Sequence, residues 1–103
     1  MCLRRPSLGR IDTLAYYTLE LVRPAGGWDR LPELTARARA ASEQLSREGR
    51  QVRFVRSVFV PEDETCFYVY EAIRVENVRE AARRAALPSA GLVASARIEE
   101  DTQ

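Results

Sequence analysis

The chain has 103 residues, 46% apolar and 30% charged, with a net charge of +1. That is one globular domain's worth, too short for a deep pocket within one protomer and lacking the basic excess of a nucleic-acid binder. It contains no His and no Lys, all its basic residues being Arg, which removes the commonest general base, the commonest transition-metal ligand and any Schiff-base chemistry.

Residues 1–12 carry charge but no apolar segment of the length of a signal peptide or membrane span, and read as a flexible tail. A cytoplasmic protein is expected, with neither nucleic acid nor membrane as partner. Of the two cysteines, Cys2 lies in the tail and Cys66 in an apolar run, where it reads as a small buried thiol. The domain proper is expected over 13–100, with a short tail at 101–103.

The run LAYYTLELV (14–22) is aromatic and aliphatic, too short for a typical helix, and ended by Arg23-Pro24; it predicts a first strand. PAGGWD follows as a loop in which Trp28 closes the end of a small core or meets a partner. Asp29 is suited to cap a helix, and Pro32 is tolerated in a first turn. Leu31, Leu34, Ala38, Ala41 and Leu45 recur at steps of three and four, so an amphipathic helix is expected over about 30–48, stopped by Gly49.

QVRFVRSVFV (51–60) and TCFYVYEAI (65–73) are β-branched and aromatic, and Pro61-Glu62-Asp63-Glu64 between them reads as a hairpin turn with solvated acids. A calcium-type loop would need more oxygen ligands over a longer span. VENVREAARRAA (75–86) predicts a second helix with Val75, Val78, Ala82 and Ala85 on one side. Surface ion pairs are expected from Glu76 to Arg79 and from Glu80 to Arg83 and Arg84. Pro88 ends it, and GLVASARIE (91–99) is a last, weaker strand. The order β-α-β-β-α-β predicts an α+β, ferredoxin-like fold: four antiparallel strands with two helices on one face.

Alternation sorts the strands into faces. Ala15, Tyr17, Leu19 and Leu21 are assigned to the helices, leaving Tyr16, Thr18 and Glu20 on the bare side. If Val60 pairs with Thr65, then Phe54, Arg56, Val58, Phe67, Val69 and Glu71 share a face, and the charges on it place that face away from the helices. Such a face is too apolar to leave in water, so a homodimer with sheets facing across a cleft is expected. Glu20, Arg56, Glu71 and Tyr16 are the candidate catalytic groups: an acid or base, an anion-stabilising cation and a hydrogen-bond donor. Thr18, Phe54, Val58, Phe67 and Val69 are the candidate ligand-binding residues. The structural alternative is that Arg56 simply pairs with Glu71 or Glu20.

The segments Tyr17-Thr18-Leu19-Glu20, Arg56-Ser57, Val60-Pro61-Glu62-Asp63-Glu64, Cys66-Phe67, Tyr70-Glu71-Ala72, Val78-Arg79-Glu80-Ala81 and Leu87-Pro88 together resemble a family of small bacterial domains of unknown function. That family includes actinobacterial nickel-binding proteins. The resemblance covers about 14–98 and implies a ferredoxin-like fold of the dimeric α+β barrel group. The chain departs from the family pattern at Ile73-Arg74, where the helix entry is poorer. Ala86 stands where the family has Gly, and the chain has no His. Nickel favours imidazole, so the composition disfavours the nickel reading that the resemblance brings; no metal ligand and no cofactor are assigned. Three functions follow: a homodimer binding a small apolar or anionic molecule, a cofactor-independent isomerase or cyclase acting on an apolar metabolite, or an interaction module whose sheet face is a dimer seam.

Overall fold

The computed structural model describes residues 14–97. The expectations for the tails and Cys2, and for the last strand beyond Arg97, lie outside these residues. Four strands, β1 (Ala15–Leu21), β2 (Val52–Val60), β3 (Thr65–Ala72) and β4 (Ser89–Arg97), form one sheet in the order β2-β3-β1-β4, and every neighbouring pair is antiparallel. Helices α1 (Leu31–Arg47) and α2 (Val75–Arg84) are the two crossovers. This is the α+β, ferredoxin-like arrangement read from the sequence.

Both helices bury one stripe against the same face of the sheet. Leu34, Ala38 and Leu45 of α1 and Val78, Ala81 and Ala82 of α2 form a single core with Leu19, Leu21, Cys66, Tyr68, Tyr70 and Ala72. The small residues on the helix stripes let the backbones sit close to the large tyrosines beneath. Among the described residues no helix is long and apolar enough to cross a membrane.

The helix ends explain their own positions. Asp29 does not cap α1; it sits in a 3-10 turn, Trp28–Arg30, that leads into the helix. Arg30 stands at the boundary instead, its guanidinium on both carboxylate oxygens of Glu33 at 3.1 Å. At the other end Gly49 is left-handed, and Arg50 N–H donates to the Leu45 carbonyl at 2.9 Å, a closure that satisfies the last carbonyls. α2 ends the same way on Ala86, which adopts φ 56° although it has a side chain, with Leu87 N–H donating to the Ala82 carbonyl. Arg37 reaches across from α1 and donates to the carbonyls of Ala85 (2.9 Å) and Ala86 (3.2 Å), which braces that corner. On α2, Glu80 pairs with Arg83 and Arg84 as expected, and Arg84 also reaches Glu48 of α1. The expected pair between Glu76 and Arg79 is absent among the described residues.

β2 is an edge strand, and its first residue is fastened by α1. The Ser46 hydroxyl donates to the Val52 carbonyl at 2.9 Å and accepts the Val52 N–H at 3.2 Å. The hairpin pairs Val60 with Thr65, and its turn, a 3-10 segment Pro61–Asp63 closed by left-handed Glu64, carries exposed acids. Farther along, β2 and β3 pair Arg56 with Val69 but Phe54 with Tyr70, so Val55 is an extra residue. This bulge resets the alternation of β2. The expectation that Phe54 lies on the bare face is therefore corrected. Phe54 is buried on the helix side, its ring edge-on to Tyr68 (centroids 4.9 Å apart) and Tyr70 (5.6 Å). From Arg56 onward the expected faces hold.

Candidate functional site

The side of the sheet without helices presents three cross-strand rows. In the first, Arg53, Glu71 and Tyr16 are aligned across β2, β3 and β1; in the second, Arg56, Val69 and Thr18; in the third, Val58, Phe67 and Glu20. Opposed residues share a face, so the register gathers eight of the nine sequence-assigned residues here and leaves out Phe54. Tyr16 is 38% exposed and Val58 42%, while Thr18, Glu20, Phe67, Val69 and Glu71 are half-buried.

The charges are arranged differently from the sequence expectation. Glu71 does not meet Arg56; Arg53 Nε stands 2.9 Å from Glu71 Oε1. The hydrogen bond that Arg53 donates to Glu71, and then the Glu71 charge, push the pKa of the Arg53 guanidinium further up. Arg53 is the residue on this face that sequence reasoning missed. The signal was the doublet Phe54-Val55, two apolar neighbours that interrupt the alternation of Val52, Arg53 and Phe54. Arg56 and Glu20 make no ion pair among the described residues, and their rows place β3 between them. The face thus has an apolar centre in Val69, Phe67 and Val58, an internally neutralised pair at one end, and one cation and one carboxylate without an ion-pair partner among the described residues.

Trp28 packs against the core at the far end of the helix side, its ring 5.4 Å from Phe59, as a residue closing a small core would. Cys66 is a buried free thiol, and burial pushes its pKa up. It projects into the core, away from Glu20 and Glu71. Among the described residues no three of His, Cys, Asp and Glu gather in a metal-binding group. With no imidazole in the chain and the Cys66 thiol pushed up by burial, the donors among the described residues do not fit nickel.

No curated protein and no solved structure matches the chain. The family described as "Nickel responsive protein SCO4226-like" matches residues 28–94, from the entry to α1 through most of β4, which is well over half of the 103 residues. The matched stretch spans both crossovers and the hairpin, and the chain belongs to this family.

Proposed function

We propose that this chain is a homodimeric binding protein that holds a small, partly apolar, anionic molecule between two facing sheets. The observation that supports this reading is the bare face itself: Tyr16, Val58, Phe67 and Val69 lie in adjoining rows with no helix over them, and Arg56 stands beside them with no carboxylate partner among the described residues. Leaving such a surface in water is unfavourable, and a second copy of the same face removes it from solvent while enclosing a cleft. Polar groups that stay unpaired at the edge of an apolar cleft are the usual means of orienting a ligand. The name of the family speaks of nickel response, but this reading assigns no metal, because the side chains on this face are oxygen donors, guanidinium groups and apolar groups.

Sedimentation at micromolar concentration tests the assembly, with Val58→Glu as the variant. The wild type is expected to run as a dimer and Val58→Glu as a folded monomer with an unchanged circular dichroism spectrum. A thermal-shift series with aliphatic and aromatic acids, and with Ni²⁺, tests the ligand. A rise in melting temperature with the acids, lost in Arg56→Gln, supports the reading. A lone wild-type protomer, or stabilisation by Ni²⁺ alone, overturns it.

A further inference from the structure

A groove runs along the edge strand, between α1 and the start of β2. Arg39, Glu43 and Arg47 recur at steps of four along α1, with Ser42 three residues from Arg39, forming a stripe beside the one that meets the core. Between this stripe and the start of β2 the groove has a volume of about 600 Å³. Its floor includes Phe54, and Arg39 is already positioned there: its guanidinium carbon stands 4.9 Å from the centre of the Phe54 ring. A guanidinium held on an aromatic face keeps its planar donor edge free for a carboxylate.

A further observation points to a ligand. Arg39 and Arg47 make no ion pair among the described residues, whereas the third arginine of the groove, Arg53, is taken up by Glu71. Three guanidinium groups against the carboxylates of Glu43 and Glu71 leave the lining with a single net positive charge. Glu43, between Arg39 and Arg47 on the helix, opposes ligands of higher negative charge.

We propose that this groove binds a small organic monocarboxylate, received by Arg39 over the Phe54 ring, with Arg47 supplying the second positive charge. The site shares Arg53 and Glu71 with the bare sheet face but takes Arg39 and Arg47 from α1.

The test is a titration of isotope-labelled full-length protein by NMR with acetate, benzoate and inorganic phosphate, against sodium chloride at equal ionic strength. Saturable shifts confined to residues 39–47 and 51–54 are expected with the carboxylates and not with chloride. Arg39→Gln is expected to weaken binding at least tenfold, with Arg47→Gln as the independent second variant. Glu43→Gln is expected to tighten it severalfold, because a like charge is removed. Carboxylate shifts that follow chloride, affinity unchanged in both arginine variants, weaker binding in Glu43→Gln, or tighter binding of phosphate than of either carboxylate would each overturn the proposal. So would saturable shifts at residues 16–20 and 67–69 in place of the groove, which would instead favour the bare face.

Discussion

Arg53 and Glu71 face each other directly across β2 and β3 and are joined by a 2.9 Å hydrogen bond. The Glu71 side chain is 17% exposed and that of Arg53 61%, so half of the pair is open to water. A pair of this kind contributes little, about 0.5–1 kcal/mol. A double-mutant cycle of Arg53→Ala and Glu71→Gln in urea is expected to return a coupling in that range, and Arg56→Ala is expected to couple to Glu71 not at all. A measured coupling between Arg56 and Glu71 as large as that of Arg53 would mean that the register of β2 is wrong.

The two helices end in the same backbone geometry on different residues. Gly49 takes the left-handed position after α1, where a side chain would be strained; Ala86 takes it after α2 and carries that strain. Ala86→Gly is expected to raise stability by about 0.5–1 kcal/mol, and Gly49→Ala to lower it by a similar amount. Urea midpoints of the two variants should move in opposite directions at constant m-value.

Two buried tyrosines on β3 point to opposite outcomes for the same substitution. Tyr68 shares a 2.7 Å hydrogen bond with the Thr35 hydroxyl, whereas the Tyr70 hydroxyl is buried without a partner. Tyr68→Phe is expected to cost about 1 kcal/mol and Tyr70→Phe to be neutral or stabilising, because an unsatisfied polar group leaves the core. Burial pushes the Tyr70 phenol up. A raised pKa means that its contribution is complete below the unfolded value of about 10 and is lost as the pH rises beyond it. Tyr70→Phe should therefore also extend the alkaline range of the fold, read from melting temperatures between pH 8 and 11.

Acid stability depends on the surface carboxylates. Hydrogen bonds from Arg83 and then Arg84 hold Glu80 at about 2. Glu33 is lowered first by Arg30, and Glu48 by Arg84. A depressed pKa gives stability that is present above the unfolded value of about 4.3 and is lost as the pH falls toward 2. The urea midpoint is expected to decline across that window, more gently in Glu80→Gln, and more gently again in high salt, which screens exposed pairs. A midpoint unchanged between pH 5 and 2.5 would exclude these pairs as contributors.

Most of the architecture was legible because two periodicities dominate it. Leu34, Ala38, Ala41 and Leu45 repeat as a helix does, and Cys66, Tyr68, Tyr70 and Ala72 alternate as a half-buried strand does; both sets are buried. The hairpin register followed from its turn, which fixed the pairing of Val58 with Phe67. What could not be read was Val55. A bulge is one residue's departure from alternation, and it exchanged the places of Arg53 and Phe54 on the two faces. The groove was missed for a related reason. It is made by α1 and the first residues of β2, brought together by the crossover, and no spacing within either segment announces it. Asp29 failed as a cap because it lies within the 3-10 turn, Trp28–Arg30, that leads into the helix.

The double grip of Ser46 on Val52 closes the outer border of the sheet at the first residue of β2. An outermost strand with free amides and carbonyls is a template on which further chains can add, ladder upon ladder, without limit. Here the first rung of that template is already occupied by a hydroxyl from the chain's own helix, and the Val55 kink distorts the rungs that follow. Strand addition along the β2 border of the sheet is therefore discouraged at its starting point.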